Sequence, residues 1–206
     1  MRPLQQTHSA FSESAEIELV SCSLFKNHTA GLNVERKHRF LDFGPAEPTI
    51  IEFFSRFPCR LTLWDLSGEI PRLGNEPDNE DTNAAIEVEA LLDFDSDESY
   101  DLVLCWDLLN YLDEPYLIEF AQQLAGRLRP GGVVHGFMSA SNTVPAEPAR
   151  YTLLDDARMQ RRFSSSTRSI PRVYYQQQLQ RVLSPLVVAK AVLLRNGMQE
   201  YLFKRR

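Results

Sequence analysis

The stretch Arg39-Phe40-Leu41-Asp42-Phe43-Gly44-Pro45-Ala46-Glu47-Pro48, continued from Thr49 to Asp65, decides the fold of this chain. Phe40, Leu41 and Phe43 make a short apolar strand. Pro48 and Thr49 open a helix, since proline suits a first helical position where its missing N–H has no partner to lose. Ile50, Phe53, Phe54 and Phe57 recur at i, i+3, i+4 and i+7 and give that helix one apolar face, which Pro58 ends. Leu61, Leu63 and Trp64 form a second strand that closes on Asp65. Gly44 and Asp65 lie 21 positions apart, close to the roughly 20-residue gap of nucleotide-binding βαβ units. In such units the turn lets backbone approach a ligand, and the carboxylate accepts hydrogen bonds from ribose hydroxyls.

Bulk properties bound the alternatives. The 206 residues suffice for one domain with a sizeable core. A net charge of −6 excludes the broad basic field of a general nucleic-acid binder, though a local basic site remains compatible with it. Cys22, Cys59 and Cys105 are isolated, with Cys59 and Cys105 in or beside predicted strands, as expected of thiols in a reducing cytoplasm. No apolar run resembles a signal peptide or reaches the ~20 residues of a membrane span, so the expectation is a soluble, cytoplasmic protein with no membrane partner.

Outward from the opening unit, residues 1–38 read as a polar N-terminal extension or cap with a helical candidate at Glu13–Val20. A loop rich in Gly, Pro and acid covers 67–83, including the run Glu76–Asp81. Ile86, Val88 and Ala90 alternate as a third strand, and Leu102–Cys105 as a buried fourth. Asp113-Glu114-Pro115 starts a helix with a stripe at Leu117, Ala121, Leu124, Ala125 and Leu128, ended by Pro130-Gly131-Gly132. Val133–Met138 is a fifth strand. Residues 139–171, rich in Pro, Ser and Arg, read as a long loop, lid or insertion. A helix over Tyr174–Leu183 precedes two strands, Leu186–Leu194 and Gln199–Phe203, around Arg195-Asn196-Gly197, a strong hairpin signal. The expectation is an α/β, Rossmann-like domain over 39–206: seven strands, mostly parallel, with a C-terminal antiparallel hairpin and helices on both faces.

This order of features resembles the class I S-adenosylmethionine-dependent methyltransferase fold. Leu41-Asp42-Phe43-Gly44 resembles its first-strand signature and Asp65 its second-strand acid. Tyr100-Asp101-Leu102-Val103 resembles the Phe-Asp-Leu-Val of its fourth strand, and Leu128-Arg129-Pro130-Gly131-Gly132 its Leu-Lys-Pro-Gly-Gly. The resemblance implies S-adenosyl-L-methionine as cofactor. Asp42, Gly44 and Ala46 would lie against its methionine end, Asp65 on its ribose with Leu66 beside it, and Glu89–Phe94, with Glu89 and Ala90, near the adenine. Trp106 and Asp107 would border the methyl group.

Beside each implied role stands a plainer one. Asp65 suits an N-cap for the turn that follows. In Trp106-Asp107-Leu108-Leu109-Asn110-Tyr111, Asp107 is the candidate for orienting or deprotonating a substrate, with Asn110 and Tyr111 as substrate contacts; equally, Asp107 caps a turn and Tyr111 packs in the core. The turn Gly44-Pro45-Ala46-Glu47-Pro48 keeps only the first glycine of the family's Gly-x-Gly-x-Gly, and its two prolines lack N–H groups. That counts heavily against a dinucleotide, whose pyrophosphate needs such donors, and less against a sulfonium compound. His135 reads as strand packing, and no His/Cys spacing suits a metal. Arg158, Arg161, Arg162, Arg168 and Arg172 read as a solvated loop that can also grip an anionic partner. Two functions follow: a methyltransferase acting on an O, N or S nucleophile of a small molecule or protein, or a non-catalytic relative acting as an interaction module.

Overall fold

The computed structural model describes residues 15–73, 83–93, 98–170 and 172–206. Its centre is a six-stranded sheet built from β2 (His38–Asp42), β3 (Cys59–Leu63), β4 (Tyr100–Trp106), β5 (Leu128–Ser139), β10 (Leu186–Leu193) and β11 (Met198–Arg205). The strand order is β10-β11-β5-β4-β2-β3. β2, β3, β4 and β5 pair in parallel, and β11 joins β5 antiparallel as the inner arm of the C-terminal hairpin. All seven residues of β4 are buried, as a central strand covered on both faces requires. The hairpin turns at Gly197, with φ of 81°, a conformation that costs a glycine nothing.

Helices cover both faces. On one side, α4 (Glu114–Gly126) and α5 (Gln176–Val182) bury Leu117, Phe120, Leu124 and Leu179 in a core shared with Leu41, Phe43 and Val103. On the other, α1 (Ser23–Thr29) and α2 (Pro48–Ser55) bury Phe25, Ile50, Phe53 and Phe54 against Phe40, Leu102 and Leu104. The chain leaves β2 for β3 on one side and finds β4 on the other. The carboxyl ends of β2 and β4 therefore diverge at a switch point, the place where open α/β sheets accept ligands.

The structure corrects the sequence reading in three places. Ile86, Val88 and Ala90 lie on a helix, α3 (Ala84–Leu91), rather than on a strand, so among the described residues the sheet has six strands and β3 is its edge. Asn83 caps α3 by accepting the Ala85 N–H; Ile86 is 64% exposed and only Val88 is buried, so the alternation was no core signature. The helical candidate Glu13–Val20 is instead β1 (Ala15–Ser21) across its described residues. Residues 139–170 are not a long loop but an insertion, one of the sequence alternatives, with strands of its own: β6 (Thr143–Pro145), β7 (Arg150–Asp155), β8 (Arg158–Ser164) and β9 (Thr167–Ser169). β8 pairs antiparallel with β1 and β7, giving a second sheet of order β1-β8-β7, and β6 pairs with β9. Tyr151, Leu153 and Met159 bury one face of that sheet beside α2. The acidic run Glu76–Asp81 lies outside the described residues.

Candidate functional site

The divergence of β2 and β4 brings Asp42 and Trp106 together across the switch point. Asp42 is buried, and its Oδ1 accepts the Gly44 N–H at 2.8 Å and the Trp106 indole N–H at 2.6 Å. Its Oδ2 has no hydrogen-bond partner among the described residues. Burial pushes the Asp42 carboxyl up to about 6, against the pull of those two donors. Trp106 is only 4% exposed and has φ of 48°. That left-handed conformation costs an L-residue roughly 1–2 kcal/mol, so surrounding contacts have to hold it. Its indole lies stacked on Tyr151 at 5.1 Å between centroids, and Tyr151 stacks in turn on Phe137 at 5.2 Å.

Gly44 lies in the turn after β2, and the Trp106 side chain packs on it. A Cβ at Gly44 would come within 2.6 Å of the Trp106 indole nitrogen and 2.8 Å of its Cδ1. The gap left among Asp42, Pro45, Ile50, Trp106, Ala149 and Tyr151 is about 10 Å³, roughly enough for one water and far below what an amino-acid moiety needs. In this conformation that gap beside Asp42 does not take the methionine end of an adenosyl sulfonium. Ala46, in the same turn, is exposed.

Asp65 stands exposed at the tip of β3, where its Oδ1 accepts the Ser67 N–H at 2.9 Å and the Ser67 hydroxyl at 2.6 Å. That is the turn-capping role, and the side chain is open to solvent as well. Leu66 is core, with its N–H given to the Phe43 carbonyl. Glu89 and Ala90 lie exposed on α3 rather than on a strand tip, and Phe94 lies outside the described residues.

The residues after β4 are turned inward. Asp107 is buried, accepts the Ala149 N–H at 3.2 Å and sits 3.6 Å from the Arg161 guanidinium. Desolvation raises its carboxyl to about 6, with Arg161 the largest opposing influence. Asn110 donates to the carbonyls of Asp107 and Phe137 and accepts the Ser139 N–H, tying the 3-10 turn Leu108–Tyr111 to β5. The Tyr111 hydroxyl reaches the Pro145 and Glu147 carbonyls. Leu153 N–H on β7 donates to Thr49 Oγ1 of α2. These bonds hold the 143–169 insertion over the sheet edge. Beside them opens a polar cavity of about 310 Å³ lined by Asp107, Asn110, Ser139, Thr143, Arg161 and Ser164, at the small end of the range for ligand pockets.

Sequence reasoning missed Tyr151 and Ala149, and read Arg161 only as one of a solvated arginine cluster. The only available signal was the alternation of Tyr151 with Leu153 and of Met159 with Arg161, masked by the surrounding arginines. Those arginines are largely engaged: Arg158 with Asp155, Arg161 with Glu18 and Asp107, Arg172 with Glu114, and Arg168 with the Pro71 carbonyl. His135 does pack in the strand, and its Nε2 lies 3.0 Å from Glu200, itself fully buried. Glu200 also accepts the Leu24 and Phe25 N–H groups, so a carboxylate fixes the otherwise unpaired donors of α1. No helix among the described residues is long and apolar enough to cross a membrane.

Residues 19–183 match the family described as the methyltransferase domain, a stretch running from β1 to the end of α5. The chain belongs to that family. Among solved structures it resembles an S-adenosylmethionine-dependent methyltransferase from Clostridium acetobutylicum, at 14% identity and a TM-score of 0.51, covering 88% of this chain and 90% of that one. It likewise resembles the PH0226 protein from Pyrococcus horikoshii, at 12% identity and a TM-score of 0.50, covering 89% of each. At such identities the likeness concerns the fold, which is the mostly parallel Rossmann-like sheet of class I methyltransferases. No curated protein sequence matches the chain.

Proposed function

We propose that this chain is an S-adenosyl-L-methionine-dependent methyltransferase that passes a methyl group to an O, N or S nucleophile of a small molecule or protein. The observation that carries this reading is the methyltransferase-domain match over residues 19–183, which takes in the acids at the tips of both β2 and β3. Asp65 supports it further: a solvent-open carboxylate at the neighbouring strand tip is available to a sugar without disturbing the core. Thermal unfolding with S-adenosylmethionine tests the reading. Ligand at 100 times its dissociation constant adds about 2.7 kcal/mol of stability, and Asp65→Ala removes that gain. Absence of stabilisation at millimolar ligand, in wild type and Trp106→Ala alike, overturns the proposal.

A second reading has its own observation. Trp106 packs on Gly44, Tyr151 and Ala149 line the small gap beside Asp42, and Asp107 and Tyr111 hold the insertion in place. On this reading the protein is a non-catalytic member of the family that works through its surface, and the thermal titration gives no shift in wild type or in Trp106→Ala.

A further inference from the structure

We propose that Trp106 is a built-in stopper of the cofactor cleft: its indole occupies the ground that the methionine end of S-adenosylmethionine requires, and the ligand enters only after the indole has left Asp42. The inference rests on the proposed cofactor and concerns how access to the same site is controlled.

Four observations converge on it. The indole N–H takes the Asp42 Oδ1 at 2.6 Å, a charge-assisted bond to a buried carboxylate. The indole packs directly on Gly44, because a Cβ there would meet Trp106 side-chain atoms at 2.6 and 2.8 Å, ahead of Asp42 Oδ1 at 3.2 Å. Tyr151 lies face to face with the ring at an interplanar angle of 14°, closing it from the insertion side. Among the described residues, Trp106 is alone in being a non-glycine with positive φ, a strained placement of the kind that marks switch positions.

The stopper is coupled to the insertion. Tyr151 sits on β7, which is fastened by Leu153 to Thr49, by Ala149 to Asp107, and through Tyr111 to the backbone at Pro145 and Glu147. Withdrawing the indole breaks the Asp42 bond and the Tyr151 stack, so the open state is a minor one in the absence of ligand. A ligand that binds only this state shows an affinity reduced by the open fraction, and a variant lacking the indole recovers it.

S-adenosylhomocysteine is the probe, titrated into the full chain, with folding of each variant verified by circular dichroism. Trp106→Ala is expected to bind it at least about tenfold more tightly than wild type, matching a minor state populated at ~10% or less. A second arm needs no cavity. In Trp64→Phe, Trp106 becomes the sole tryptophan of the two in the chain, and saturation with S-adenosylhomocysteine is expected to increase its quenching by acrylamide. Equal affinities of wild type and Trp106→Ala, or unchanged quenching at saturation, overturn the stopper while leaving the cofactor reading intact. Failure of wild type and Trp106→Ala alike to bind, with both folded, overturns both; loss of binding in Trp106→Ala alone overturns the stopper only. Should that variant not fold, the quenching arm decides alone.

Discussion

The Trp106 indole nitrogen lies 2.6 Å from Asp42 Oδ1, joining the ends of β4 and β2 across the switch point of the sheet. One bond thereby satisfies half of a buried carboxylate, fixes a residue with φ of 48°, and fills the hollow beside Gly44. Its consequences are measurable.

Asp42 gives stability a specific pH dependence. Its folded value, about 6, lies above the ordinary 3.8, so between those values the folded protein holds a proton that the unfolded chain has released. Stability from this group is complete below pH 4 and falls as pH rises through 4 to 6. The ceiling is about 3 kcal/mol, from a shift of roughly two units at 1.36 kcal/mol each. Urea unfolding of wild type and Asp42→Asn at several pH values should show the variant with a flatter profile. Part of the fall persists, since buried Asp107 is raised into the same window.

Gly44→Ala should destabilise the protein by about 1–3 kcal/mol, the usual cost of overpacking, because the new methyl meets the indole at 2.6 Å. In a Trp106→Ala background the same change should cost far less. A double-mutant cycle by chemical denaturation reads the coupling directly.

Arg161 is 7% exposed and faces Asp107 and Glu18. Arg161→Met leaves Asp107 a buried acid with one backbone donor and should cost about 3 kcal/mol. Asp107→Leu combined with Arg161→Met should cost less than the sum of the single changes, since the charge left behind, Glu18, is partly exposed rather than buried. Equilibrium unfolding of the three variants checks this.

Glu200→Gln should loosen α1. A carboxylate accepts from both Leu24 and Phe25 N–H groups, whereas an amide turns one donor toward another. The expected loss is about 1–3 kcal/mol, with hydrogen-exchange protection falling at Leu24 and Phe25 before the central sheet is affected.

The sequence made the β2-α2-β3 unit legible because its signals are local: Pro48 and Pro58 bracket Ile50, Phe53 and Phe54, all three buried as their spacing predicts. The same holds for β4, α4, β5 and the Gly197 hairpin. Ile86–Ala90 was misread because a two-residue alternation in an Ala- and Glu-rich segment fits a short helix with a single buried valine. The insertion was illegible for another reason. β8 finds its partner β1 more than a hundred residues upstream, and the burial of Arg161 makes sense only once Asp107 and Glu18 face it. Trp106 stands at a site position by motif, but no local pattern says that its ring points at Asp42; Tyr151 and Phe137, from distant strands, decide that.

A crystal structure of the protein soaked or co-crystallised with S-adenosylhomocysteine tests the matter most directly. The expected density places the amino-acid end of the ligand over Gly44 with the Trp106 ring withdrawn from Asp42, and the ribose within hydrogen-bond reach of Asp65. Density showing the indole still on Asp42 at saturating ligand, with no adenosyl group at the β2 and β3 tips, would contradict it.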